Sequence, residues 1–360
     1  MLFRSGHTRW ATHGKPSAEN AHPHCDCSGR IAVVHNGIIS NFLELRERLT
    51  REGHIFKSET DSEAIAHLIE SYYSGDLLQA VEAALPGLSG SYALAVIAEG
   101  CDYIVVARRD CPLIIGVGEG ERFVASDAPA ILEYTNRVIF LEDGDVGSVT
   151  ADDINLKNNG VEVKGREEQT IPWSVEQSRR GGYDHFMLKE IHEQPRVIRD
   201  TLEGCVSLTE SRVEPQAVRH NGFSGSLILA CGTSYYAGLI GRHAIEKLAG
   251  EPVRVEVASE FNHSGGLLSG DRVIAITQSG ETADTLRAMK LVKSRGAQLL
   301  AITNVLGSSA TRIAGRTIYT RAGPEICVAA TKSFIAQLTV LYVLAIADRK
   351  STRLNSSHRL

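Results

Sequence analysis

Short apolar runs recur between turn residues from about residue 30 to residue 149: "IAVVHNGII", "SYALAVIAEG", "DYIVVARR", "PLIIGVG", "RFVAS" and "RVIFLEDGDVGSVT". Their β-branched content and spacing predict an antiparallel, β-rich domain. Two helices interrupt it. Phe42, Leu45 and Leu49 recur at three- to four-residue spacing over 41–52, and Ile65, Leu68 and Ile69 form an apolar stripe over 60–73, where Thr60 or Asp61 can cap. Periodicity is lost in "IPWSVEQSRRGGY", which ends in Gly181 and Gly182, and the domain boundary is expected there. Beyond it, continuous apolar strands are each followed by a polar turn and a helical stretch: "SLILACGTSYYAGLIGRHAIEKLAG", "PVRVEVASEFN", "RVIAITQSGETADTLRAMKLVKSRG" and "QLLAITNVLGS". That alternation predicts a parallel sheet covered on both faces. "LILACGTSYYAG" and "VIAITQSGETAD" repeat one strand-loop-helix unit. The run "FIAQLTVLYVLAIA", residues 334–347, is too short to span a bilayer and carries Gln337, which predicts a buried or subunit-facing helix and no membrane association.

A length of 360 residues favours two domains, each with its own core. With 43% hydrophobic residues, 22% charged residues and a formal net charge of -5, the composition is that of a globular protein. Lys and Arg are scattered rather than gathered into a basic stripe, which argues against a nucleic-acid partner. Seven cysteines are spread without a disulfide framework, and no charged-then-apolar leader precedes them, so a reducing, cytoplasmic location is expected. Cys25 and Cys27 form a C-x-C beside His22 and His24. Structural zinc sites usually pair two such units, and without a second one the segment reads as a polar surface loop with no metal.

The two repeated units set Thr233 and Ser234, then Thr277, Gln278, Ser279 and Thr282, just past strand ends where helices begin. There, unpaired backbone N–H groups and the helix dipole attract an anion, and hydroxyls add donors without a competing charge. The same hydroxyls could simply cap the helices. Two matching loops on neighbouring parallel strands favour a shared phosphate crevice. Neither loop is a Walker A or a G-x-G-x-x-G, so no nucleotide cofactor is expected.

"ACGTSYYAG", "TQSGETADT" and "PEICVAATKSF", preceded by "YDHFMLKEIHEQP", resemble the first sugar isomerase (SIS) half of the glutamine-fructose-6-phosphate aminotransferase family. The resemblance implies that Thr233, Ser234, Thr277, Gln278, Ser279, Thr282 and Val328 hold the phosphate and hydroxyls of fructose 6-phosphate. The family more often has Ser where this chain has Thr277 and Ala330; Thr277 keeps a hydroxyl and Ala330 loses one. "HTRWATHG", "VVHNGII" and "SETDSEAIAHL" resemble the glutamine pocket of the class II amidotransferase domain that opens the same family. A free amino acid presents a carboxylate, an ammonium and a side-chain amide. By the resemblance Arg9 is suited to fork onto the carboxylate and Asp61 to pair with the ammonium. Asn36 and the N–H of Gly37 would supply oxyanion donors, Thr12 and His13 would line the pocket, and Trp10 would gate it.

The implied fold is an N-terminal-nucleophile-type amidotransferase sandwich of the α+β class over 6–172, a linker over 173–184 and a parallel-sheet α/β SIS domain over 185–347. The family's nucleophile is an N-terminal cysteine that acts with its own α-amino group. That residue is expected upstream of Gly6, and a second SIS half downstream of residue 347, so the chain is expected to be a catalytically incomplete internal piece. Residues 1–5 and 348–360 fit neither the family nor the neighbouring periodicity, and they read as translated sequencing-adapter scars. The intact enzyme is expected to be a homodimer that moves ammonia from glutamine to fructose 6-phosphate without a cofactor. A phosphoribosylpyrophosphate-type amidotransferase would need an acidic phosphoribosyl loop that is not found. A non-catalytic SIS-type sensor would usually carry a helix-turn-helix in place of the first domain.

Overall fold

The computed structural model describes residues 5–8, 13–203, 206–207, 212–213, 226–264 and 272–357. They fall into two compact units, Met1–Ile171 and Pro172–Leu360.

The first unit runs β1 (His24–Cys25), β2 (Ile31–Ile39), α1 (Phe42–Arg51), α2 (Asp61–Tyr72), α3 (Leu77–Ala84), β3 (Gly90–Ala98), β4 (Ile104–Arg109), β5 (Ile114–Val117), β6 (Arg122–Ala125), β7 (Arg137–Phe140), β8 (Asp145–Val149), β9 (Ile154–Asn158), β10 (Val161–Glu162) and β11 (Glu168–Thr170). Seven strands in the order β1-β2-β3-β4-β8-β9-β10 form one sheet, and β11-β7-β5-β6 a second. Every named ladder in both is antiparallel. Alternation along the strands divides the core. Val33, Leu94 and Val96 pack with Leu45, Leu49, Ile65 and Leu68 of the helices, while Ala93, Val106 and Val149 pack with Leu113, Ile115 and Leu141 on the other side. The result is the sandwich that the motifs imply.

α2 begins where the sequence puts it. Thr60 lies in extended backbone and accepts the N–H of Glu63 (3.4 Å), and Asp61 and Glu63 sit in the first turn, where the helix dipole favours negative charge. Two features differ from expectation. "RVIFLEDGDVGSVT" is two strands in two sheets, because the chain turns at Glu142, where the N–H of Asp145 bonds back to its carbonyl (3.0 Å). α3 was not anticipated, although Asp76 caps it by accepting from the N–H of Gln79 (3.0 Å), and Leu77, Ala80, Val81 and Ala84 are its buried stripe.

The second unit runs α4 (Val175–Ser178), α5 (Phe186–Glu203), a hairpin of β12 (Val206–Ser207) and β13 (Arg212–Val213), then β14 (Ser226–Ala230), α6 (Gly232–Ala249), β15 (Val253–Val257), α7 (Ala258–Ser264), β16 (Arg272–Ile276), α8 (Ala283–Ser294), β17 (Gln298–Thr303), α9 (Ser309–Ile313), β18 (Arg316–Tyr319) and α10 (Lys332–Ser357). The sheet order is β15-β14-β16-β17-β18, all parallel. Ile228, Ile274 and Ile302 face Ala237, Ile245, Leu341 and Leu344 of α6 and α10, while Leu227, Leu229, Ala275 and Ala301 face Phe261, Leu286 and Met289 of α7 and α8. The predicted two-sided cover is present. α10 continues past residue 347 to Ser357, through a stretch free of Gly and Pro that therefore lacks a helix breaker. Within residues 173–184, Ser174 and Gln177 make a reciprocal capping box that winds one turn, α4.

Candidate functional site

In the second unit, the loops after β14 and β16 open onto one cavity of about 290 Å³. It is lined by Thr233, Ser234, Gln278, Ser279, Thr282 and Val328 from the expected set, and also by Cys231, Gly232, Glu325, Cys327 and Ala330. Two long helices aim their N-termini here. Cys231 caps α6 and Thr282 caps α8, and neither side chain bonds to its helix, so the first-turn N–H groups keep their capacity for an anion. Thr277 lies beneath the cavity wall, 2% exposed; its hydroxyl accepts from the N–H of Gly280 (3.2 Å) and pairs with that of Thr282 (3.2 Å). It shapes the loop rather than lining the cavity. Ser279 Oγ accepts from the N–H of Glu281 (3.1 Å), and Ser234 Oγ accepts from Gln337 Nε2 on α10 (3.0 Å). Gly280 makes the turn at φ +72°, where a Cβ would stand 2.1 Å from Ser308 Oγ.

The far wall, residues 324–333, is held by carboxylates of α5 and by its own Glu325. Glu190 of α5 is 1% exposed; burial pushes its carboxyl up, against the N–H donors of Ile326 (2.7 Å) and Cys327 (3.2 Å). Glu325 accepts from the N–H of Thr331 (2.9 Å) and from the Ser333 hydroxyl. The buried Lys332 ammonium meets Glu193 of α5 at 2.7 Å. The "YDHFMLKEIHEQP" and "PEICVAATKSF" motifs are visible in the sequence, but not the ties from Glu190 and Glu193, which join residues more than 130 positions apart.

In the first unit, β2 carries Asn36 and Gly37, and α2 carries Asp61 at its first position. Asn36 is exposed, on the strand face opposite buried His35. Gly37 has φ +140°, and a Cβ would lie 2.2 Å from the carbonyl oxygen of Ser91 on β3. Asp61 is 3% exposed: Oδ2 accepts from the N–H of Ile39 at the end of β2 (2.9 Å), and Oδ1 is 3.8 Å from His13 Nδ1. The structure thus brings Asp61 and His13 together beside the strand that bears Asn36 and Gly37. Arg9, Trp10 and Thr12 lie outside the described residues.

Histidines brace this region. His35 Nδ1 meets Ser62 Oγ at 2.9 Å, and His24 Nε2 meets Thr60 Oγ1 at 3.1 Å. His22 lies between His7 (ring centroids 4.2 Å apart, tilted) and His24 (4.8 Å, edge-on), and burial, with those neighbours and His35, lowers its pKa to about 3. Burial also lowers the pKa of His35, with Asp61 opposing the shift. For Glu63, burial works upward, but the His67 imidazole 3.6 Å away, with hydrogen bonds from the N–H groups of Lys57 and Ser58 and from the Ser58 hydroxyl, outweighs it and holds the carboxyl at about 2.

Residues 7–133 match the glutamine amidotransferase domain model and residues 226–347 the SIS domain model. The glutamine–fructose-6-phosphate aminotransferase (isomerizing) of Clostridium tetani is 49% identical over 356 residues, 96% of this chain and 58% of that protein. The enzyme of the same name from Methanothermobacter thermautotrophicus is 53% identical over 351 residues, 95% of this chain and 57% of that protein. The chain belongs to the glutamine–fructose-6-phosphate aminotransferase family. Within that family it spans a little over half the length of the curated relatives it matches. Among solved structures, the C-terminal domain of glucosamine-fructose-6-phosphate aminotransferase from Francisella tularensis covers 49% of this chain and 51% of that one, at 35% identity and a TM-score of 0.46. The matched residues 7–133 lie in the first unit and 226–347 in the second, so the first unit carries the amidotransferase domain and the second a SIS domain. No described helix is long and apolar enough to cross a membrane.

Proposed function

We propose that this chain forms the glutamine-binding and first sugar-phosphate-binding parts of an enzyme that converts glutamine and fructose 6-phosphate to glutamate and glucosamine 6-phosphate. The observation that carries the reading is the cavity at the carboxyl ends of β14 and β16. There, two helix N-termini without side-chain caps meet five polar residues from the two repeated loops, in a chain that also bears an amidotransferase domain.

In this reading the sugar phosphate is bound by the first-turn N–H groups of α6 and α8 with the hydroxyls of Thr233, Ser234, Ser279 and Thr282, and by the Gln278 amide. Val328 and Ala330 would pack against the sugar. Thr277 keeps the loop in shape from below. In the first unit, Arg9 forks onto the glutamine carboxylate, Asp61 pairs with its ammonium, Asn36 and the Gly37 N–H receive the oxyanion, Thr12 and His13 line the pocket, and Trp10 gates it. Removing one oxyanion donor typically costs about 100- to 1000-fold in rate. The reading includes no cofactor. The intact enzyme works as a homodimer in the cytoplasm, with glutamine and fructose 6-phosphate as its partners and without nucleic acid or membrane.

The test is a calorimetric titration of fructose 6-phosphate into the wild type, Ser279→Ala and Ser294→Ala, the last an exposed serine at the end of α8. Ser279→Ala is expected to weaken binding roughly 5- to 150-fold, about 1–3 kcal/mol for a charge-assisted hydrogen bond, and Ser294→Ala to leave it unchanged. Equal affinity in all three returns Ser279 to a loop-shaping role and removes the phosphate assignment.

A further inference from the structure

Four side chains of the first unit converge at a place none of the glutamine residues uses. Cys27 follows β1, His54 lies beyond the end of α1, and His67 and Glu70 stand one turn apart on α2. One donor atom from each lies within 4.8 Å of every other. Cys27 Sγ is 3.6 Å from His54 Nδ1 and 3.5 Å from His67 Nδ1, and Glu70 Oε2 is 2.8 Å and 3.2 Å from the same two nitrogens. Bonds of about 2.0–2.3 Å to a tetrahedral zinc ion set ligand-to-ligand edges of roughly 3.3–3.8 Å. The two sulfur–nitrogen edges fall in or at that range, and the two carboxylate–nitrogen edges lie within about half an ångström of it.

Hydrogen bonding alone serves this cluster poorly. Each imidazole turns the same Nδ1 toward both the sulfur and the carboxylate: a ring proton given to Glu70 is turned away from the sulfur, and the single thiol proton can serve only one neighbour. A cation at the centre satisfies all four donors. The outer contacts suit ligating histidines: His54 Nε2 is 3.3 Å from Ser71 Oγ, and His67 Nε2 is 3.6 Å from Glu63 Oε1. The Ile55 N–H points at Cys27 Sγ (3.4 Å) and the Cys27 N–H at Glu70 Oε2 (3.2 Å), outer donors that a ligating thiolate and carboxylate would each accept. Sulfur and imidazole select a transition metal over magnesium or calcium, which prefer oxygen.

We propose that Cys27, His54, His67 and Glu70 form a structural zinc(II) site. With all four positions taken by protein, the ion leaves no place for substrate. It ties the β1–β2 turn and the α1–α2 connection to α2, the helix that begins with Asp61. The C-x-C segment provides a ligand, but its partners are downstream histidines and a glutamate rather than a second cysteine pair. This inference is independent of the glutamine and sugar-phosphate assignments.

The test uses the full chain under reducing conditions, freed of metal and titrated with cobalt(II) as the probe. One equivalent is expected to give a thiolate-to-cobalt charge-transfer band and the intense visible bands of tetrahedral cobalt, both abolished by an equivalent of zinc. Cys27→Ser should remove the charge-transfer band, Cys25→Ser, at the neighbouring exposed thiol, should keep it, and Glu70→Gln should weaken cobalt binding at least tenfold. Zinc should raise the melting temperature of the wild type and not that of Cys27→Ser. Absence of the bands at one equivalent in the wild type, or their persistence in Cys27→Ser, overturns the site; should Cys27→Ser fail to fold, unchanged cobalt affinity in Glu70→Gln does so.

Discussion

At the residue scale, Asp61 has two tasks that chemistry can separate. One carboxylate oxygen accepts from the Ile39 N–H and holds the end of β2 to the start of α2, and the other faces His13. Asp61→Asn keeps an acceptor for Ile39 but removes the charge an ammonium needs. Binding of free glutamate, followed by NMR titration, is expected to weaken at least tenfold, about 1.4 kcal/mol, while the melting temperature moves by only a few degrees. Similar losses in affinity and in folding would mean that Asp61 is structural alone. Asp61 was legible because it stands at a helix start inside a recognisable motif. The Glu190, Glu193 and Glu325 ties were not, since a buried carboxylate acquires its meaning only from backbone donors and a lysine that folding brings to it.

At the element scale, α2 was legible from local signals, a capping threonine, early acids and an apolar stripe, because each acts within a few residues. α3 carried the same kind of signal in Asp76 but is only eight residues long, below the length at which periodicity stands out. The division of "RVIFLEDGDVGSVT" between sheets was illegible for a different reason: strand partners are set by packing, not by the strand's own residues. Thr60 links the local and distant levels, since it caps α2 and also meets Ser58 Oγ (2.9 Å) and His24 Nε2 (3.1 Å) in a buried network. Thr60→Ala is expected to cost about 2 kcal/mol, the upper end for a lost cap, with Thr60→Ser recovering most of it; urea unfolding measures both.

At the scale of the whole molecule, each unit has its own core, and acid acts on them unequally. His22 titrates at about 3 against an ordinary 6.5, so the unfolded chain binds its proton first. Its contribution is complete above pH 6.5 and is lost as pH falls through the window down to about 3. Glu63, at about 2 against 4.5, has the same sign and acts below pH 4.5. The first unit is therefore expected to melt at progressively lower temperature from pH 6.5 downward, and His22→Gln to flatten the upper part of that slope; calorimetry at stepped pH checks both. The second unit's strand order carries a consequence for synthesis. β14 emerges first, β15 and β16 flank it, and β17 and β18 extend the growing edge in turn, so each strand joins a sheet already begun. The face bearing Ile228, Ile274 and Ile302 completes its cover only with Leu341 and Leu344 of α10. A nascent chain halted on the ribosome before Lys332 would hold a registered sheet with an oily side still open, and that is the moment at which a chaperone has most to cover.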